Sequence, residues 1–218
     1  MSVNTAKFLG IVGAVLFASA GTLRFQNAWL YLGLHFGWLT VTGRYFLNRD
    51  PALVERRLLQ DEQGERRADQ RKIMATMRVL GLFTLVVAGL DRRFGWSPVP
   101  VAVVAAAGVL FVAGASLVFA VFAANTYTSS IIEIMPGQTV VAKGPYRVVR
   151  HPMYAGTLLM GLATPLLLGS YWAALMLPPG WALLAWRIRA EEQLLARELS
   201  GYAQYMDRIR NRLIPGVW

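Results

Sequence analysis

Residues 144–186 read GPYRVVRHPMYAGTLLMGLATPLLLGSYWAALMLPPGWALLAW, and this stretch decides how the second half of the chain folds. Its last 35 residues, 152–186, contain no charged side chain. One helix of that length would measure roughly 50 Å at about 1.5 Å per residue, far more than a bilayer core of about 30 Å. The run must therefore reverse, and we expect the reversal at residues 169–170 (Gly-Ser). Residues 178–180 (Pro-Pro-Gly) are expected to break or kink the returning limb and leave it irregular.

The composition is that of an integral membrane protein. Of the 218 residues, 56% are hydrophobic and 16% are charged, whereas a soluble domain carries about 25% charged residues. Six segments reach the length of a membrane-spanning helix: 8–23, 29–47, 73–90, 99–124, 152–168 and 171–186. Residues 18–20 (Ala-Ser-Ala) resemble a signal-peptidase site, but only Lys7 precedes them as a basic residue, so we expect a retained span. We predict a single all-α membrane domain over residues 1–218, with four spans in 1–124 and a helical hairpin in 125–218.

The distribution of Lys and Arg predicts the orientation of this domain. With six spans, only Arg24, Arg92 and Arg93 of the 22 basic residues fall on the side opposite the termini. Because basic segments are retained in the cytoplasm, we expect both termini there. The compactness of the chain favours a bacterial inner membrane.

Charge and residue usage exclude several classes of function. The formal net charge of +10 is explained by attraction to anionic lipid headgroups, since the sequence contains no basic helix or soluble domain suited to nucleic acid. The lack of Cys excludes disulfides and thiol nucleophiles. The two His residues form no His-Glu-x-x-His pattern, so no metal site is predicted. Membrane lipids are therefore the expected partners.

The segment 48–72 carries seven basic and six acidic residues and lies between two predicted spans. The spacing of Leu53, Val54, Leu58 and Leu59 predicts a short amphipathic helix on the membrane surface. A solvated connecting loop fits the same composition equally well.

Two further segments flank the uncharged run. Residues 125–143 combine β-branched side chains with a Pro-Gly turn, which predicts a loop long enough to wrap over a ligand. After Arg187 the chain is rich in helix formers, so the last span is expected to continue as a cytoplasmic helix. Ser200 and Gly201 should end or kink that helix, and a second short helix should follow.

A dense polar cluster precedes the uncharged run, at Tyr146, Arg147, Arg150, His151 and Tyr154. The residue before a proline favours extended geometry, and proline suits the first turn of a helix. A helix should therefore begin at residue 152 with unpaired N–H groups able to bind a carboxylate or phosphate. The two tyrosines suit a flat group such as a nucleobase. Alternatively, the arginines anchor the chain at the interface and the tyrosines belong to an aromatic belt.

Two charge pairs follow at the inner end of the last predicted span. Arg187 and Glu191 are spaced i, i+4, and Arg189 and Glu192 are spaced i, i+3, so each pair shares a helix face. Structural salt bridges are the ordinary explanation for such pairs. Buried between helices, the same groups would be costly unless they held a ligand.

An ordered series of short elements resembles the catalytic half of the isoprenylcysteine carboxyl methyltransferase family, whose wider relatives include phospholipid and small-thiol methyltransferases. The resemblance covers residues 120–215 and depends on the order and spacing of the elements. In chain order they are Gly144-Pro145-Tyr146, Arg150-His151-Pro152-Met153-Tyr154, Gly156, Arg187, Glu191-Glu192, Tyr202 and Tyr205. The amino-terminal half is similar only in hydropathy.

The resemblance implies an S-adenosylmethionine site formed by the last spans and the loop before them. Carried over by position, its cofactor-binding residues are Gln138, Thr139, Val140, Val141, Tyr146, His151, Pro152, Met153, Tyr154 and Glu191. Arg187 matches an Arg near the methyl acceptor, so Arg187 and Glu191 are the catalytic candidates. Asn125 matches an Asn before the cofactor loop. Ile131, however, stands where the eukaryotic enzymes have a cofactor-contacting Gln, which weakens transfer of the prenylcysteine substrate more than transfer of the cofactor.

The implied function is methyl transfer to a lipophilic carboxylate, thiol or amine at the cytoplasmic membrane face. A carboxylate or thiolate acceptor needs no strong base, which is consistent with the lack of an obvious triad, because positioning and electrostatics carry such a reaction. One alternative is an NADPH-dependent membrane reductase, since sterol reductases share a similar Arg-His-Pro-Asn-Tyr element, with Asn at the position of Met153. Another is a non-enzymatic lipid-binding protein of the same fold.

Overall fold

The computed structural model describes residues 3–63, 65, 67–128 and 131–218, and within this part the chain is helical without strands. The helices are α1 (Val3–Ala20), α2 (Gln26–Arg49), α3 (Pro51–Gln63), α4 (Ala68–Phe94), α5 (Val101–Ala124), α6 (Pro152–Leu167), α7 (Leu177–Glu198) and α8 (Tyr202–Arg208). Short 3₁₀ turns cover Gly144–Arg147 and Ala173–Met176. The all-α prediction is confirmed for the described residues.

The apolar centre of the bundle is formed by α1, α2, α4, α5 and α6. Its fully buried side chains include Leu16, Phe25, Phe111, Leu167 and Leu168. Burial of large apolar side chains of this kind contributes roughly 1.5–3 kcal/mol each in a water-soluble setting. In a bilayer the same contacts act mainly through close packing, because lipid tails are as apolar as leucine.

Two glycines let α5 and α6 approach each other backbone to backbone. A Cβ on Gly114 would lie 2.7 Å from the carbonyl oxygen of Gly156, and a Cβ on Gly156 would lie 2.7 Å from Cγ2 of Val118. Small residues at such a contact are typical of packing between membrane helices. Because α6 begins at the polar cluster, this contact also fixes the position of that cluster against α5.

The reversal of the uncharged run occurs where the sequence predicts it. Helix α6 ends at Leu167, and Gly169 adopts a φ of 76°, a left-handed conformation that glycine tolerates. The next residue, Ser170, donates a hydrogen bond from its hydroxyl to the buried carboxylate of Asp91 at the end of α4. The hairpin is thereby attached to the amino-terminal half.

The returning limb differs from the sequence prediction in one respect. Its irregular part comprises residues 168–176, ahead of residues 178–180 rather than at them. Pro178 and Pro179 stand in the first turn of α7. Proline is compatible with that position because the first N–H groups of a helix have no intrahelical acceptor. The prolines therefore begin the helix instead of breaking it.

The segment 48–72 is helical rather than a loop, since α3 covers Pro51–Gln63. The side chain of Asp50 accepts a hydrogen bond from the N–H of Leu53 at 3.1 Å, as at a capped helix start. Leu53 packs with Phe46, Val118 and Phe122 in a buried cluster. The predicted contributions of Leu58 and Leu59 fall on side chains outside the described residues, and the membrane-surface location stays a prediction.

By length and composition, two helices of the described part are apolar enough to cross a membrane, α4 and α5. Residues 6–20 and helix α6 are apolar but shorter. Five of the six segments predicted to span the membrane coincide with α1, α2, α4, α5 and α6, and the sixth is divided between the second 3₁₀ turn and α7. The number of spans and the side on which the termini lie remain predictions.

The α5–α6 contact yields a test of the fold. Gly156→Ala should lower the free energy of unfolding by about 1–3 kcal/mol, because the added methyl group has no room between the two backbones. Thermal unfolding of the purified protein measures the change. Gly161→Ala is the matched control on the same helix, since a Cβ there has no atom within 4 Å, and it should leave stability unchanged or raise it slightly. Equal effects of the two substitutions would contradict the described packing.

Candidate active site

One cavity lies where α6, α7 and α8 meet the loop that follows α5. Counted out to its open mouth and the solvent there, the space among these elements is about 850 Å³. All ten residues predicted to bind a cofactor line it: Gln138, Thr139, Val140, Val141, Tyr146, His151, Pro152, Met153, Tyr154 and Glu191. The lining also includes Asn125 and Ile131, two positions that the family resemblance concerns. It further includes residues that the sequence does not predict, among them Thr128, Leu195 and Leu199. Segments distant in sequence thus converge on one space.

The start of α6 forms one wall of this cavity. His151 precedes the helix with φ −121° and ψ 61°, and Pro152 occupies the first turn. The backbone N–H groups of Arg150 and His151 donate to the carbonyls of Asn211 and Arg212, each at 2.9 Å. The tail after α8 thus occupies the two backbone donors that directly precede the helix.

Two backbone donors at the same helix start remain available. The N–H groups of Met153 and Tyr154 have no hydrogen-bond acceptor within the described part of the chain. Both residues line the cavity. The positive end of the helix dipole lies here as well, so this wall is suited to an anionic group.

The carboxylate of Glu192 holds the polar cluster together. Its Oε1 accepts a hydrogen bond from Nε of Arg150 at 2.7 Å and lies 3.2 Å from Nε2 of His151. Its Oε2 accepts a hydrogen bond from Nε of Arg212 at 2.7 Å. Glu192 is only 5% exposed, so α7, the start of α6 and the tail are joined by a buried carboxylate with two cationic partners.

The predicted i, i+3 pair of Glu192 with Arg189 is not formed; Arg189 instead lies over the ring of Trp218.

These partners determine the protonation of Glu192. Burial raises the pKa of its carboxyl, but the hydrogen bonds from His151, Arg150 and Arg212 outweigh burial and lower the pKa from 4.5 to about 2. The carboxylate therefore remains charged in the folded protein down to strongly acidic pH.

Arg150 also braces the chain that follows α8. Its Nη1 donates to the carbonyl oxygens of Ile209 and Arg210 at 2.7 and 2.9 Å. The sequence assigns Arg150 to interfacial anchoring or to ligand binding. The structure places it as a buried partner of Glu192 whose side chain fixes the tail across the start of α6.

A second polar chain connects Glu191 with Arg187. The hydroxyl of Tyr154 donates to Oε2 of Glu191 at 2.6 Å and accepts from Nε of Arg187 at 3.0 Å. Arg187 also donates to Oε2 of Glu65 at 3.3 Å and to Oε1 of Gln70 at 3.4 Å. Glu191 lines the cavity, whereas Arg187 is buried outside its lining. Of the two catalytic candidates, the structure thus places one at the cavity and the other behind Tyr154.

Tyr146 also lines the cavity and is held by two hydrogen bonds. Its hydroxyl accepts a hydrogen bond from Nδ2 of Asn125 at 3.0 Å, and its carbonyl accepts one from the hydroxyl of Tyr205 at 2.8 Å. Burial raises the pKa of Tyr146 to about 12, so the phenol stays protonated at neutral pH. Asn125 thus acts at least in part by orienting an aromatic side chain of the cavity.

Glu65, from the α3–α4 connection, and Gln70, from the first turn of α4, make contacts with Arg187 that the sequence does not predict. Nothing in local spacing connects them with Arg187, because the contact between Glu65 and Arg187 spans 122 positions. The only available signal was an acidic residue in a mixed-charge segment. It does not distinguish a buried partner from a solvated charge.

The Glu192 cluster gives a pH-dependent prediction. Because the pKa of Glu192 is lower in the folded protein than the ordinary 4.5, its stabilisation is complete above pH 4.5 and is lost as the pH falls towards 2. Glu192→Gln should therefore be less stable than the wild type at pH 7, and the difference should shrink in this window. Thermal unfolding between pH 7 and pH 3 measures it. Glu198→Gln removes an exposed carboxylate on the same helix and should change little; a pH-independent deficit in Glu192→Gln would contradict the assignment.

Comparison with known proteins finds sequence similarity over part of the chain. Residues 105–197 match the model of the isoprenylcysteine carboxyl methyltransferase (ICMT) family. A curated relative, an uncharacterized protein YpbQ of Bacillus subtilis (strain 168), is 39% identical over 72 residues. That alignment covers 33% of this chain and 43% of the length of the relative.

A solved structure extends the likeness to the fold of the chain as a whole. The eukaryotic intramembrane Ras methyltransferase ICMT superposes on 98% of this chain and 75% of its own, with a TM-score of 0.59 at 17% sequence identity. Together with the family match, this confirms the resemblance predicted from the sequence: the chain is ICMT-like, in sequence over residues 105–197 and in fold over nearly its entire length.

Proposed function

We propose that this protein transfers a methyl group from S-adenosylmethionine to a lipophilic acceptor at the cytoplasmic face of a membrane. The observation that carries the proposal is the convergence of ten residues, predicted from four separate sequence elements, on one cavity. The match to the ICMT family model, over residues 105–197, covers all four of these elements.

The residues of the cavity fit the chemical groups of this cofactor. The free N–H groups of Met153 and Tyr154 suit its carboxylate, and the carboxylate of Glu191 suits its ammonium group or ribose hydroxyls. His151 and Tyr154 form a stacked pair with ring centroids 5.7 Å apart, and Tyr146 faces the same space. These aromatic side chains suit the adenine ring.

When bound, S-adenosylmethionine supplies a methyl group on a positively charged sulfur, which is a good leaving group. The protein has to hold the acceptor in line with the bond between the methyl carbon and the sulfur, and it has to exclude water. Positioning and electrostatics of this kind lower the activation barrier. Glu191 lines the cavity and can meet an acceptor directly. Arg187 acts through Tyr154, which it hydrogen-bonds, and so positions Tyr154 and Glu191.

The proposed location follows from the charge distribution. Six spans with both termini in the cytoplasm would leave only Arg24, Arg92 and Arg93 on the far side. The cavity residues would then lie at the cytoplasmic surface of a bacterial inner membrane. An acceptor dissolved in the bilayer could enter beside α6 and α7 without crossing the water phase.

Ligand binding tests the proposal. Adenosylhomocysteine should raise the unfolding temperature of the purified protein, and NADPH should not, which separates a methyltransferase from a membrane reductase. Stabilisation by NADPH alone would favour the reductase, and stabilisation by neither would favour a lipid-binding protein.

Two variants test the assigned residues. Glu191→Gln and His151→Ala should each weaken adenosylmethionine binding by roughly 10-fold or more, since hydrogen bonds to charged groups contribute about 1.5–3 kcal/mol. Glu198→Gln, on the exposed face of α7, is the matched control and should bind normally. Unchanged affinity in both variants, measured by isothermal titration calorimetry, would refute the assignment.

A further inference from the structure

The tail after α8 contains a turn whose backbone is closed by hydrogen bonds. The N–H of Val217 donates to the carbonyl oxygen of Ile214 at 3.1 Å. Gly216 adopts a φ of 74° and follows Pro215, as in a type II turn. The N–H of Gly216 also donates to Oδ1 of Asn211 at 3.0 Å. Residues 214–217, the tail turn, are therefore held in one conformation.

The residues on either side of the tail turn attach it to α6 and α7. Leu213 is buried in a cluster with Ala155 of α6 and with Leu184 and Ile188 of α7, and Trp218 packs against the same cluster. Ala155 and Leu184 belong to the uncharged run that the sequence predicts to cross the bilayer twice. The base of the tail turn thus lies beside helix segments that are predicted to enter the membrane.

An exposed tryptophan on α7 indicates the depth of this region. Trp186 is 61% exposed and lies one turn before Arg189. Tryptophans at the ends of membrane spans lie at the level of the lipid headgroups. The guanidinium of Arg189 is 5.9 Å from the ring centroid of Trp218. Trp218, and with it the tail turn, is therefore expected at the boundary between bilayer and water.

The tail turn presents a continuous apolar surface. Ile214 is 45% exposed and Val217 is 77% exposed, and Pro215 and Gly216 between them are exposed as well. Single exposed apolar side chains are ordinary on a protein surface, whereas a contiguous group with a polar rim indicates a contact surface. Because the turn is already ordered, covering it costs little conformational entropy.

The charges around the tail turn are mainly positive. Residues 208–218 contain three arginines and no acidic residue, and Asp207 precedes them in α8. The guanidinium of Arg212 is bound to Glu192, whereas Arg189 and Arg210 are exposed. An apolar tip with basic side chains beside it is the combination found in segments that bind the surface of anionic membranes.

We propose that the tail turn inserts into the headgroup region of the bilayer, and that Arg189 and Arg210 bind anionic lipid headgroups beside it. The apolar side chains provide a contact with any phospholipid bilayer, and the arginines add a preference for anionic lipid. The tail also accepts hydrogen bonds from the N–H groups of Arg150 and His151. The same segment thus joins the membrane surface to one wall of the cavity.

Fluorescence from a single labelled position tests the insertion. The chain contains no Cys, so Val217→Cys carries an environment-sensitive nitrobenzoxadiazole label at one site. In phosphatidylcholine nanodiscs its emission should be shifted to the blue, and lipids with a nitroxide at the headgroup should quench it. Ala196→Cys is the matched control, because it is exposed on α7 and lies about 15 Å along the helix beyond Trp186. The Val217→Cys label should be quenched severalfold more strongly than this control.

Further substitutions in the labelled Val217→Cys protein separate the apolar and charged contributions. Ile214→Asp should remove most of the blue shift and of the quenching. Replacing half of the phosphatidylcholine with phosphatidylglycerol should increase the quenching at low salt, and Arg210→Gln should reduce that increase. Arg197→Gln removes an exposed arginine near the far end of α7 and should leave it unchanged.

Three outcomes would contradict the proposal. Emission at Val217→Cys like that of a label in water, with quenching equal to that at Ala196→Cys, would overturn the insertion. A blue shift without quenching by lipid nitroxide would show that protein, rather than lipid, covers the turn. Equal quenching with and without phosphatidylglycerol would overturn the role of the arginines. The experiment uses no methyl donor, so its result is independent of the proposed function.

Discussion

The buried carboxylate of Glu192 is the interaction on which the rest of the site depends. Its partners are Arg150 and His151, which directly precede α6, and Arg212 from the tail after α8. A carboxylate at this depth is favourable only while its cations remain in place. The Glu192 carboxylate therefore positions every wall of the cavity except the loop after α5, either directly or through one neighbouring residue.

Next to it, Glu191 belongs to a different network with a different task. Consecutive residues of a helix point about 100° apart, so one carboxylate faces the start of α6 while the other reaches Tyr154 and the cavity. The first network fixes the positions of α6, α7 and the tail. The second extends through Arg187 to Glu65 and so connects the cavity with the amino-terminal half.

Much of the fold and of the cavity follows from the sequence. The uncharged run of residues 152–186 had to reverse, and Gly169 is the residue whose backbone permits it. The cavity lining follows from family motifs whose order in the chain is preserved. The prediction that Pro178 and Pro179 break the returning helix was wrong, because they lie in its first turn. Whether a proline breaks a helix or begins it depends on where the preceding turn ends.

What the sequence did not reveal is which charges meet. Helical spacing suggested a pair between Arg189 and Glu192, yet burial beside Arg150, His151 and Arg212 gives Glu192 stronger partners. Glu65 reaches Arg187 only through the tertiary packing of α3, α4 and α7. Such contacts have no periodic signature, and they are the ones that determine the electrostatics of the site.

In the proposed function, the cavity binds a methyl donor for a membrane-dissolved acceptor. The most direct measurement incubates the purified protein with methyl-labelled adenosylmethionine and a membrane lipid extract, and then identifies the labelled product. Label should appear in the organic phase, and it should be lost in Glu191→Gln. An unlabelled lipid fraction, with the cofactor bound and every lipid class of the membrane present, would contradict it.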